Sequence, residues 1–246
     1  MRYLWPALAG ALFVVASCEK TARRPPAAGE PIYFYASQAG RSTLDQGEGG
    51  GNPFASALVE LLARDSLTFE AFGTELVELT LRKSRSFQRP DVPDRADLGA
   101  WRLLPKPSAE KRVALVVVFS DYSASGTTPS LPGAKHDMHR VAAAFVRAGF
   151  QVQTVLDPDS AELEIALREF ADRSAASEVA ALYTTGHGAE VKENIYLLPG
   201  DYSFSQGSTT LNERAVRLVT MGASLRARRA NLVFYGGCRN NPFGTQ

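Results

Sequence analysis

Val179-Ala-Ala-Leu-Tyr-Thr-Thr-Gly-His-Gly188 and Asn231-Leu-Val-Phe-Tyr-Gly-Gly-Cys238 decide the reading of this chain. Each is a short apolar run that breaks at glycine and delivers one reactive side chain, His187 or Cys238. Runs of this kind read as strands buried on both faces. Residues 113–119 form another such run, and 152–155 a shorter one. Helical patterns lie between them. Residues 134–148 place Met138, Val141, Ala142 and Phe145 on one stripe and stop at Gly149. Asp159 or Ser160 caps a second helix, with Leu163, Leu167 and Phe170 at helical spacing. A further helix is expected within 211–229. This alternation predicts an α/β fold with a mostly parallel sheet and helices on both faces. Ligands of such sheets bind beyond the carboxyl ends of the strands, where His187 and Cys238 both fall. If their two strands are neighbours, the two side chains share one edge.

The first half is organised differently. It offers a short strand at 32–36, a glycine-rich loop at 47–51, helices at 53–63 and near 69–82, and an edge strand at 101–104. The loop is not followed by the Lys-Ser/Thr pair that a phosphate cradle requires. A strand–helix–helix–strand unit alone leaves its strands unpaired, so this half is expected to extend the sheet of the second.

A chain of 246 residues with 45% hydrophobic residues can bury one substantial core. Its formal charge of +1 offers no basic excess for neutralising phosphates, which argues against a nucleic-acid partner. The N-terminus has Arg2, an apolar run at 4–16 too short for a permanent bilayer span, and then Ser17-Cys18. This start resembles a bacterial lipoprotein signal, with 1–17 removed, Cys18 lipidated, and 18–30 a flexible tether. The other reading is an ordinary cleaved secretion signal. The lipoprotein reading places the domain at the bacterial cell envelope, anchored on its periplasmic or extracellular side. Cys18 and Cys238 are the two cysteines of the chain. With lipid on Cys18, Cys238 lacks an intramolecular disulfide partner. Chance burial explains many free cysteines, but a lone thiol in an oxidising compartment calls for a reason.

Further motifs carry a family resemblance. They are Leu131-Pro-Gly-Ala-Lys-His-Asp137, Tyr183-Thr-Thr-Gly-His-Gly188 with Tyr196-Leu-Leu-Pro199 behind it, and Cys238-Arg-Asn-Asn-Pro-Phe243. Together they resemble the caspase-like clan of cysteine peptidases, in particular the bacterial metacaspase-like members of peptidase family C14. In that family the cysteine motif is followed by pieces that resemble Tyr35-Ala-Ser-Gln-Ala-Gly40, Asn52-Pro-Phe54 and Gln88-Arg-Pro90. Here those pieces come first. The resemblance therefore implies a three-layer caspase-like fold in circularly permuted order. Residues 31–104 supply the small-subunit-like part, 105–110 a joining linker, and 111–246 the large-subunit-like part with the dyad. The permuted ends fall in a loop of the kind that tolerates breakage. The linker spans roughly 20 Å at most, enough only if the joined ends are close. A swapped dimer, in which 31–104 completes a neighbouring chain, is the competing arrangement.

The resemblance assigns Cys238 as nucleophile and His187 as its base, with the backbone N–H groups of Gly188 and Cys238 as oxyanion hole. It implies a protein or peptide substrate. No third member of a triad is evident. Relatives that cut after Arg or Lys carry Asp two residues before the nucleophile; here Gly236 stands there. The second acid of that substrate-binding pocket corresponds to Asp137, and Thr185 stands where a small hydroxyl residue is usual. Basic specificity is thus weakened but left open. An inactive caspase-like binding module and a thiol amidase on a non-protein amide are the alternatives to a peptidase. His136 and His139 lack a third metal ligand, so no metal cofactor is expected from them; some relatives need calcium, which leaves calcium dependence open although no loop here has a calcium pattern.

Overall fold

The computed structural model describes residues 29–47, 49–94 and 98–244. The expected signal segment, Cys18 and most of the tether lie outside the described residues. The first half forms β1 (Ile32–Tyr35), α1 (Pro53–Leu61), β2 (Leu67–Thr68), α2 (Phe69–Lys83) and β3 (Arg102–Leu104). The second half opens with β4 (Arg112–Val118), α3 (Pro132–Arg147), β5 (Gln151–Leu156), α4 (Ser160–Ala175) and β6 (Val179–Thr185). It continues with β7 (Gly188–Val191), β8 (Asn194–Leu197), α5 (Leu211–Arg214), β9 (Val216–Arg217), α6 (Leu218–Gly222) and β10 (Ala230–Tyr235).

The central sheet is five-stranded and parallel, in the order β1-β10-β6-β4-β5. β4, β6 and β10 are buried at every position, which is why they read as unbroken apolar runs. Alternate residues serve opposite faces. On β4, Ala114, Val116 and Val118 join Phe72, Leu76, Val141 and Phe145 of α2 and α3. Leu115 and Val117 join Leu163 and Phe170 of α4 and Met221 of α6. Asp159 caps α4 in a reciprocal capping box with Glu162. β6 and β10 are neighbours, with Tyr183 opposite Phe234 and Thr184 opposite Tyr235. The loops carrying His187 and Cys238 therefore leave one edge side by side.

The first half adds to this sheet through β1, whose Ile32–Tyr35 run in register with Leu232–Tyr235 of the same chain. Its other strand does not. β3 instead pairs antiparallel with β2 in a separate two-stranded ribbon, because Leu67-Thr68 provides a nearer partner just ahead of α2. The expected helix within 211–229 is two short helices, α5 and α6, separated by β9. β9 completes a three-stranded sheet with the hairpin β7–β8, for which the sequence reading had no element. The helix expected at 134–148 starts earlier, with Pro132 in its first turn. On its stripe Ala144, rather than Ala142, is fully buried.

Arg112, buried at the start of β4, ties the two halves together. Its guanidinium donates to Leu103 O at the end of β3 (2.8 Å), to Ala148 O beyond α3 (3.3 Å), and to the buried Glu110 carboxylate. Among the described residues, no helix is long and apolar enough to cross a membrane.

Candidate active site

β6 ends in Thr185-Gly186-His187 and β10 in Gly236-Gly237-Cys238, and the two turns pack backbone against backbone. A Cβ on Gly188 would lie 3.0 Å from Cys238 O and only 1.8 Å from the Tyr235 hydroxyl. A Cβ on Gly237 would lie 3.0 Å from Gly186 O and 2.5 Å from the same hydroxyl. Glycine is required at both positions by close approach. Tyr235, fully buried, donates to Cys238 O at 2.9 Å and so fixes the turn that bears the thiol.

His187 is positioned from three sides. Its N–H donates to the buried Tyr122 hydroxyl (2.9 Å), which donates in turn to Leu198 O (3.0 Å). Its ring stands edge-on to Tyr122 and Phe204, with centroids 4.6 and 5.4 Å away. Nε2 lies 2.8 Å from Pro129 O. A carbonyl only accepts, so Nε2 carries the proton and Nδ1 the lone pair. The imidazole pKa is lowered from its ordinary value, chiefly by burial, with partial compensation from Pro129 O and Asp45. A neutral ring with a free Nδ1 is the form a general base needs.

Cys238 is half-buried and free. The loop following β1 reaches it: Thr43 N donates to Sγ at 3.3 Å, and Thr43 Oγ1 lies 3.5 Å from Sγ while donating to Gly236 O. No hydrogen bond joins His187 to Cys238 among the described residues. The same loop is pinned further along. Asp45 accepts from Gly133 N and Ala134 N at the start of α3 (3.0 and 2.9 Å), and Leu44 N donates to Gln88. Arg239, 3% exposed, clamps the next residue by ion pairs to Asp91 and Glu190, both at 2.8 Å.

Two donors remain at the junction. Leu198 N donates to His187 O, which makes Gly188 and Leu197 a non-hydrogen-bonded pair and turns Gly188 N–H out of the hairpin. Neither this N–H nor that of Cys238 is used by a hydrogen bond among the described residues. Both are thus open to an oxyanion.

The residues expected to line a basic pocket are each engaged by neighbouring groups. Asp137 is fully buried, and its carboxylate is engaged by Arg140 and by Asn52 N at 2.8 Å. A Cβ on Gly51 would be 1.9 Å from Asp137 Oδ1, so the loop closes over it. Burial pushes the Asp137 pKa up to about 6 against these two donors. At Gly236, a Cβ would lie 2.8 Å from Thr185 Oγ1 and 3.2 Å from the buried Tyr183 hydroxyl. Thr185 therefore fills the space an aspartate at 236 would need. Asn52 Nδ2 holds Gly236 O at 3.1 Å.

Sequence reasoning missed Pro129, Tyr122, Tyr235 and Thr43. Pro129 acts through a carbonyl that any residue has, so no signal existed. Tyr122 was findable as the aromatic residue in a loop otherwise rich in Ser, Gly and Pro.

His187 and Cys238 thus lie beyond the carboxyl ends of two adjacent strands, β6 and β10, of a parallel sheet. The match with the peptidase C14 caspase domain covers residues 111–245, over half of the chain, and the protein belongs to that family. No curated protein matches the chain. Membership brings a cysteine-peptidase type of function and protein or peptide substrates.

Proposed function

We propose that this chain is a cysteine endopeptidase in which Cys238 attacks a peptide carbonyl and His187 manages the proton. The observation that carries the proposal is the junction of the two turns, where two unspent N–H groups stand beside a half-buried thiol and a neutral imidazole. His187 Nδ1 takes the thiol proton as Sγ bonds to the carbonyl carbon, and the oxyanion rests on Gly188 N–H and Cys238 N–H. The protonated ring then gives its proton to the departing amine. Water, deprotonated by the same ring, cleaves the thioester and regenerates the thiol.

The domain is further proposed to be circularly permuted. In support, β1 extends the sheet beyond the cysteine strand in parallel register, and its following loop returns to Sγ through Thr43. The family match starts at residue 111, after this half. Residues 18–30 would tether the domain to the cell envelope through lipid on Cys18, by the resemblance of the N-terminus to a lipoprotein signal. Preference for a basic residue before the scissile bond would rest on Asp137, whose charge is met internally by Arg140.

The test is cleavage of internally quenched peptides by the domain from residue 19 onward, compared with Cys238→Ala and His187→Ala. Turnover abolished in both variants supports the dyad. An inert wild-type protein would instead make the caspase-like binding module the better account.

A further inference from the structure

His187 stands against more aromatic surface than a base needs for orientation. Tyr122, beside the ring, and Tyr202, beside Phe243, are fully buried, with their hydroxyls engaged by Leu198 O and by Gly207 O and Thr210. They are scaffold. Phe204 and Phe243 differ, being only partly buried and carrying no polar group to anchor. Phe204 meets the imidazole edge-on at 5.4 Å, and Phe243 lies 6.1 Å beyond it. Phe243 is held at that place by the turn after the nucleophile, where Phe243 N donates to Asn241 Oδ1 at 3.0 Å. The pair is thus built from both functional loops, one segment following the histidine and one following the cysteine.

We infer that Phe204 and Phe243 form the subsite for the side chain immediately after the scissile bond, and that this subsite takes a large apolar residue. The inference rests on the peptidase reading of Cys238 and His187. The imidazole that protonates the departing amine must stand on the leaving-group side of the thiol. The residue owning that amine therefore lies within one side chain's reach of the ring and of whatever flanks it. Phe204 flanks the ring directly with apolar area still exposed, and Phe243 extends that surface. Aromatic rings in offset or edge-on contact give such a side chain both area and shape. No acceptor or cation in this pair would favour a charged residue.

The experiment uses quenched peptides identical except at the residue after the scissile bond, carrying Phe, Leu, Gly or Asp there. Wild-type protein should favour Phe and Leu over Gly and Asp by about 10- to 100-fold in kcat/KM, the range that apolar pockets discriminate. In Phe243→Ala and Phe204→Ala the ratio of Phe to Gly should collapse toward unity. Phe243→Leu, which keeps an apolar filler, should retain most of it. Thermal melting of each variant reports folding, and a ratio within one protein is independent of its active fraction. Equal turnover of all four peptides, or a preference surviving both alanine variants, overturns this inference while leaving the peptidase intact. Turnover of none overturns both.

Discussion

Gly188→Ala probes the contact between the two functional turns. The new Cβ would sit 1.8 Å from the Tyr235 hydroxyl, with Cys238 O at 3.0 Å and Tyr196 O at 3.2 Å. The last two contacts are tight but bearable; the first requires the turns to part. Overpacking of this kind costs about 1–3 kcal/mol. Expressed in the geometry that aligns Gly188 N–H with Cys238 N–H, this lowers kcat/KM by about 5- to 150-fold. Tyr235→Phe removes the atom that is struck, at the cost of the bond to Cys238 O, about 1 kcal/mol. The double variant should therefore outperform Gly188→Ala alone, by about tenfold in kcat/KM, with a matching recovery in melting temperature. Contacting residues couple in this way, whereas independent ones add. The assay is a double-mutant cycle with kcat/KM and thermal unfolding measured on the same four proteins. A double variant worse than Gly188→Ala by the full cost of Tyr235→Phe would refute the packing argument.

Other outcomes follow from the same structure. Because burial lowers the His187 pKa, the acid limb of kcat/KM should fall below the ordinary imidazole value of 6.5, with activity lost as pH drops through it; a pH–rate profile checks this. Asp137 has a folded pKa of about 6 against an ordinary 3.8, so the folded state binds the proton more tightly and its contribution to stability declines as pH rises from 4 to 6. The melting temperature of wild type minus that of Asp137→Asn should accordingly fall across that interval and level off above it. Gly236→Asp should be poorly tolerated alone, because its Cβ would meet Thr185 Oγ1 at 2.8 Å and Thr185 Cβ at 2.9 Å, and better tolerated with Thr185→Gly, which removes both atoms; soluble yield and melting of the pair decide it. Arg239→Met removes the charge-assisted hydrogen bonds to Asp91 and Glu190, both of which keep access to water, and should cost about 1–2 kcal/mol in denaturant unfolding.

The central sheet was legible because β4, β6 and β10 are buried on both faces, which leaves an unbroken apolar run as its trace. The placement of His187 and Cys238 past adjacent strand ends was legible because each follows such a run through glycine. What escaped was built from weak or nonlocal signals. β2 is two residues long, and β7–β9 are short pieces whose pairing depends on one another rather than on periodicity. β3 falls within the strand expected at 101–104, but its partner is chosen by proximity to Leu67, which no local pattern announces. The sealing of Asp137 by Arg140 joins residues three apart on one helix, yet its force depends on Gly51 closing over the carboxylate from the other half of the chain. Thr43 reaches Cys238 across most of the sequence for the same reason.

The most direct measurement is mass spectrometry of the protein after treatment with an irreversible peptidyl electrophile, run on wild type, His187→Ala and Thr43→Val. Rapid adduct formation confined to Cys238, slowed by orders of magnitude in His187→Ala but not in Thr43→Val, is the predicted result. Adduct formation at equal rates with and without His187, or none at Cys238, would contradict the account.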